Sequence, residues 1–159
     1  MKIRIICVGK VKEAYFTDAI KEYSKRLSKF CNLEIIEVKD EMTPDGASIG
    51  ETNLILSKEA ERIKSNIKDS EYVVTLEIEG KKLTSEGLAN KISDVTLKGF
   101  NTITFIIGGS LGLDDTIKHL SNFKLSFSDM TFPHQLMRVI LLEQIYRSFK
   151  INNHEPYHK

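Results

Sequence analysis

Cysteine is scarce in this chain: 159 residues contain only Cys7 and Cys31. Neither sits in a CxxC pair or near a pair of histidines, which excludes a disulfide-stapled scaffold and argues against a zinc site. Both are expected to be reduced, small hydrophobes. Excess charge is lacking too. The 23 basic residues face 22 acidic ones, for a net charge of +1. Bulk charge therefore does not attract nucleic acid, and any anionic partner must be met by local basic patches. Long apolar runs are also absent. The opening MKIRIICVGK is broken by Arg4 and falls short of a signal core or a membrane span, and no later run reaches membrane length. A cytoplasmic protein without a membrane partner is expected. Internal repeats and low-complexity segments are missing as well. What remains is one domain over 1–159, long enough for a real core, with an ordinary hydrophobic content of 41%.

Strand and helix signals alternate along the chain. Ile3 to Val8 reads as a strand ending at Gly9. Phe16, Ala19, Ile20, Tyr23 and Leu27 recur at helical spacing, with Thr17 as a candidate start and Lys21, Lys25, Arg26 and Lys29 on the other face. That basic face reads first as a solvated surface and second as a phosphate contact. Leu33 to Val38 is a second strand. Lys39 to Gly50 carries turn chemistry and reads as a loop. Leu56, Ala60, Ile63 and Ile67 mark a second helix, and Tyr72 to Ile78 a third strand, with Gly80 expected to turn the chain. Ser85 is a candidate cap for a third helix built on Leu88, Ile92 and Val95, stopped by Gly99. Thr102 to Ile107 is a fourth strand. Asp114 and Asp115 suit the start of a short helix, Leu125 to Phe127 is a fifth strand, and Pro133 fits the first turn of a last helix. This alternation predicts an α/β fold, a mostly parallel sheet with helices on both faces.

In open α/β sheets ligands bind beyond the carboxyl ends of the strands. Three such ends carry physical cues: Leu76 to Ile78, Ile107 to Gly112, and Phe127 to Phe132. Leu76 suits an apolar wall. Gly108 and Gly109 let the backbone approach a ligand closely. Ser128, Asp129 and Thr131 make a polar loop between two phenylalanines. GGSLG is not G-x-G-x-x-G, although it follows a strand and precedes a helix. Asp129 falls about one βα unit downstream, roughly where a dinucleotide fold keeps its ribose-binding acid. An NAD site is therefore one reading of this turn, and a tight turn with no ligand is another.

The last helix, QLMRVILLEQIYRSF, is apolar around most of its circumference, whereas a surface helix shows one stripe. It must bury more than one face. A homodimer contact is favoured over a central position in a monomer core. Glu143 and Arg147 are spaced for an intrahelical ion pair. Arg138, flanked by apolar residues, is either a buried interface pair or an anion contact. His134 is either a neighbour of the helix cap or a proton-handling group. The polar tail ends in Pro156, Tyr157, His158 and Lys159. Fraying is its default, and stacking on a base beside a phosphate its functional alternative.

GGSLGL, then LSFSDMTFPHQLMRVILLEQIYRSFKI, then PYHK resemble the bacterial large-subunit ribosomal RNA pseudouridine N3-methyltransferases, of the SPOUT or α/β-knot class. The likeness runs from MKIRIICVGK to the final PYHK. Lys39 to Asn53 carries no family feature, and Ser148 stands where a smaller alanine is expected. The resemblance implies a C-terminal trefoil knot, a rare exception to the rule against knots, and a homodimer. It implies S-adenosylmethionine bent into a pocket formed by Leu76, Gly108 and the loop Phe127, Ser128, Asp129, Met130, Thr131 and Phe132. It implies a pseudouridine-bearing stem-loop of 23S RNA as substrate, methylated on the assembled ribosome.

The chemistry of such a transfer is undemanding. A sulfonium methyl is already activated, so the protein mainly aligns it, and no metal is needed. The N3 proton of the base must leave, and a general base or a cation would help. His134, Arg138, Tyr157 and His158 are the candidates, unranked. Lys10, Lys12, Lys81 and Lys82 are candidate patches around the site. An NAD-dependent oxidoreductase and a non-catalytic ribosome-binding factor are the competing functions.

Overall fold

A computed structural model describes residues 1–159. Ten elements alternate along the chain as the periodicity predicts: β1 (Lys2–Val8), α1 (Ala14–Leu27), β2 (Asn32–Val38), α2 (Ile49–Lys64), β3 (Tyr72–Lys82), α3 (Ser85–Leu97), β4 (Thr102–Ile107), α4 (Asp115–Leu120), β5 (Phe123–Ser126) and α5 (His134–Asn152). The strands form one sheet in the order β2-β1-β4-β3-β5, and every pairing is parallel. No helix is long and apolar enough to cross a membrane.

Parallel strands need crossover helices, and those helices cover the sheet faces. The alternation of side chains along β1 shows both faces being used. Ile3, Ile5 and Cys7 join a core with Leu88, Ile92 and Val95 of α3 and Leu141, Leu142 and Ile145 of α5. Ile6 and Val8 point the other way, onto Ala60 and Ile63 of α2 and Ile117 of α4. Each large apolar side chain so buried is worth roughly 1.5–3 kcal/mol, which is why β1 and β4 are mostly apolar, interrupted by Arg4 and by Thr104. Two of the buried charges of the second face, Arg4 and Glu71, lie near the amino ends of the strands. Arg4 donates to Glu71 at 2.6 Å and to Glu34 at 2.9 Å, and Thr104 donates to Glu71 at 2.7 Å.

Several boundaries differ from the sequence reading, each for a local reason. Gly80 does not turn the chain: β3 pairs with β5 through Leu76, leaves register over the next four residues, and re-pairs at Lys81. A Cβ at Gly80 would lie 2.8 Å from the Lys124 carbonyl oxygen, so glycine is needed there for close approach of two strands. The expected loop from Lys39 ends earlier than Gly50, because Ser48 caps α2. Its hydroxyl accepts from the Glu51 N–H at 3.1 Å, and the Glu51 carboxylate accepts from the Ser48 N–H. Thr84, not Ser85, caps α3, and Ser85 instead donates to Gln144 on α5. Helix α1 starts at Ala14, before Thr17. Strand β5 starts and ends before the Leu125 to Phe127 expected for it, and Pro133 is the residue preceding α5. Ser148 is buried and returns its hydroxyl to the Gln144 carbonyl at 2.7 Å, so the helix satisfies it internally.

The terminal residues are not frayed. Glu155 pairs with Lys150, Tyr157 donates to Glu143 at 3.0 Å, and His158 reaches Glu86 on α3 at 2.7 Å. The Tyr157 ring also packs edge-on against Tyr146 and lies under the Arg147 guanidinium. The tail is folded back along its own helix.

Candidate active site

The sheet order separates β5 from the start of α5. β5 is an edge strand beside β3, whereas Arg138, one turn into α5, donates to the Gly9 carbonyl at 2.6 Å and the Val8 carbonyl at 3.3 Å, at the end of β1. Residues 127–133 therefore pass across the carboxyl ends of the strands. Beneath them lies a cavity of about 360 Å³, within the range of small-molecule sites.

Three wall segments form it. The out-of-register stretch of β3 contributes Leu76, Glu77 and Ile78. The turn after β4 contributes Gly108 to Gly112, closed by the Gly112 N–H donating to the Gly109 carbonyl at 3.0 Å. A Cβ at Gly108 would sit 2.5 Å from the Gly112 carbonyl oxygen, and one at Gly109 would sit 3.1 Å from Val8. Both glycines let this turn fold onto itself and onto β1. The third wall is the crossing segment, where Ser128 accepts from the Met130 N–H at 3.0 Å.

Of the residues singled out from sequence, Leu76, Gly108, Phe127, Ser128, Met130, Thr131 and Phe132 line this cavity, and so does His134. Asp129 does not. It is exposed and paired with Lys82, which leaves the dinucleotide reading without its ribose acid at the cavity. Glu77 and Ser110 lie within the strand ends marked from sequence but were not singled out, and Met137 on the wall was missed. The register break beside Glu77 leaves no mark in the sequence except Gly80.

The four candidate catalytic groups fall into two pairs. His134 is half-buried at the cavity wall, close to Gly9 and Asp40. Its removal from water, reinforced by the Arg138 charge and opposed by Asp40, lowers its pKa below the ordinary imidazole value. It is therefore neutral, and able to accept a proton, at pH 7. Arg138 is 2% exposed and holds Glu37 at 2.6 Å besides the two β1 carbonyls. It joins three elements beside the cavity and does not line it. Tyr157 and His158 lie near Glu143 and Arg147, roughly 14–20 Å along α5 from His134 at 1.5 Å per residue. One chain does not unite the four.

Two other features do not contribute chemistry. Burial pushes the Cys7 thiol up to about 12 and Cys31 to about 11, so both stay protonated and poorly nucleophilic. No group of three or more metal-ligating side chains is present.

Comparison with known proteins agrees on one family. The model described as "Predicted SPOUT methyltransferase" matches residues 1–158. A Methanococcus maripaludis protein named "Putative ribosomal RNA large subunit methyltransferase H" is 64% identical over the full length of both chains. A Streptococcus pyogenes ribosomal RNA large subunit methyltransferase H is 57% identical, again over all of both chains. In fold, the chain is similar to the crystal structure of tRNA (m1G37) methyltransferase from Aquifex aeolicus. The TM-score is 0.53 at 17% identity, over 92% of this chain and 70% of that one.

Proposed function

Because the chain belongs to the SPOUT methyltransferase family, we propose that it methylates large-subunit ribosomal RNA, using S-adenosylmethionine, at N3 of a pseudouridine on the assembled ribosome. The observation that carries this reading is the cavity bounded by the glycine turn after β4, the displaced end of β3 and the crossing segment. Its residues fit the cofactor. Leu76, Ile78 and Phe127 offer apolar surface for an adenine. The turn at Gly108 offers bare backbone, and a Cβ there would collide with the Gly112 carbonyl and push the turn out of shape. Bound there, the cofactor supplies an activated methyl group.

The chain's own groups do the rest. The walls orient the ligand and exclude water. His134, neutral and at the wall, accepts the proton that leaves N3. Arg138 fixes the start of α5 and hence the position of His134. Tyr157 and His158 lie too far off to act within the same chain, and this supports a homodimer in which the tail of a second copy completes the site. Leu136, Val139 and Ile140, partly exposed along α5, supply apolar surface for that contact. The knot belongs to the same reading: α5 packs back against β1 after the chain has crossed the strand ends. A cytoplasmic location follows from the ribosomal substrate.

Calorimetry with S-adenosylmethionine and with NAD, followed by transfer of a labelled methyl to purified ribosomes, tests the reading. Binding of the first alone and labelling of 23S RNA are expected. Binding of NAD, or cofactor binding without any transfer, would reject it in favour of an oxidoreductase or a non-catalytic ribosome factor. A pH series gives a second expected result. The rate should fall toward acid with an inflexion below the ordinary imidazole value, because protonated His134 cannot accept a proton. His134→Gln should lower the rate and abolish that inflexion. An unchanged acid limb in the variant assigns the proton to another group.

A further inference from the structure

Helix α1 runs back from the cavity end of the sheet to the opposite end. At its start, the Lys12 N–H donates to Gln135, the neighbour of His134. At its end, Asn32 donates to the Met1 carbonyl at the amino end of β1. Lys21 and Lys25 stand on its outer side at i, i+4 spacing, about 6 Å apart, and Lys29 follows in the turn just after the helix. All three are exposed, and none has a carboxylate within 4.0 Å. The nearest acid on the helix, Glu22, is taken by Arg26 at 2.9 Å. Arg26 in turn leans on the rings of Tyr23 and Tyr146, so its charge is spent within the protein.

The charge is segregated, not merely present. Residues 10–29 hold six basic and three acidic side chains, while the whole chain has a net charge of only +1. Helix-dipole stabilisation accounts for basic residues in the last turn of α1, but not for Lys21 one turn earlier. The line of lysines ends at an open hollow of about 860 Å³ in which Ser24, Ser28, Lys29 and Asn32 stand beside apolar side chains such as Phe30 and Leu33.

We infer that the outer face of α1, from Lys12 through Lys21, Lys25 and Lys29 to this hollow, is a track for the phosphate backbone of RNA that extends beyond the reacting nucleotide. The partner is RNA and not an acidic protein or a membrane. Three exposed lysines without carboxylate partners follow one another along this face and suit a regularly charged strand, whereas a bilayer would need an apolar stripe beside them. The track rests on the ribosomal-RNA reading above and adds to it a binding surface away from the cavity. It also explains how a chain with almost no net charge can hold a polyanion.

The test compares two triple variants of the full chain, Lys21→Ala/Lys25→Ala/Lys29→Ala and, as a charge-matched control on α2 and the turn after it, Lys58→Ala/Lys64→Ala/Lys68→Ala. Affinity for purified large ribosomal subunits is measured against salt, alongside S-adenosylmethionine affinity and oligomeric mass. The first variant should lose about 2 units of the slope of log affinity against log salt, from 0.7–0.9 per phosphate contact. Its affinity at 0.1–0.2 M salt should fall more than about tenfold, with cofactor affinity and mass unchanged. The control should stay within about threefold. Equal losses in both variants, an unchanged slope in the first, or α1-dependent binding to acidic-lipid vesicles in place of subunits would overturn the track and leave the methyltransferase reading intact. A parent chain that binds neither cofactor nor subunits would overturn both.

Discussion

Arg138→Ala is expected to lower the free energy of unfolding by about 3–5 kcal/mol, from the void it leaves and the buried carbonyls that lose their donor. For a chain of this length that corresponds to a melting midpoint roughly 10 °C lower. The guanidinium is 2% exposed, and its hydrogen bonds reach β1 and β2. Alanine leaves the Gly9 and Val8 carbonyls without a donor, frees Glu37 from its 2.6 Å contact, and opens a void where the side chain stood. Glu37 is itself about one-third exposed, so water can take over that carboxylate. The buried carbonyls have no such relief. Urea unfolding at fixed protein concentration measures the effect, and a loss under about 1 kcal/mol would show these contacts to be idle. Activity should fall as well, through the position of His134 one turn away.

Gly108→Ala should weaken S-adenosylmethionine binding by more than about tenfold, or roughly 1.4 kcal/mol. The single added carbon meets the Gly112 carbonyl oxygen at 2.5 Å and the carbonyl carbon at 2.6 Å, both backbone atoms, so the turn itself must move. Strain of about 1–3 kcal/mol is typical of such overpacking, and here it falls on the cavity wall. Gly112→Ala is the informative comparison. Its Cβ would meet nothing within 4 Å, but its φ of +81° disfavours any side chain. It should cost stability of about 1 kcal/mol and far less affinity. Calorimetry separates the two. Unchanged affinity in Gly108→Ala would remove this turn from the binding site.

The central strands and the carboxyl-end site were legible because burial on both faces writes a continuous apolar run, as in TITFII and YVVTL. The periodicity of Leu88, Ile92 and Val95 marked α3 for a related reason. Helix α2 was legible in its middle but not at its start. The Ser48 and Glu51 pair carries a capping box, yet it is embedded in turn-rich sequence and was read as loop. The polar EGKK end of β3 gives no strand signal, since its pairing depends on a glycine that lets β5 approach. The partners of Arg138 were illegible for a deeper reason: two of them are main-chain carbonyls about 130 residues away, and backbone acceptors have no sequence. The order of the tail was not legible, and fraying stood as its default, because Glu86, Glu143 and Tyr146 gather only after α3 and α5 have packed.

Strand order has a consequence for how the chain is made. β1, at the heart of the sheet, is synthesised first, but one of its two neighbours is β4, paired from Lys2 with Thr102. Its carboxyl end waits longer still, until Arg138 arrives. A nascent chain can pair β1 with β2 and lay α2 on one face early, yet the face packed by α3 and α5 stays largely uncovered until most of the polypeptide has left the exit tunnel. Such non-local closure makes for slow folding and for a partly folded state that is prone to aggregate. Growth temperature and chaperone supply should therefore govern the yield of this protein more than the stability of the finished fold does.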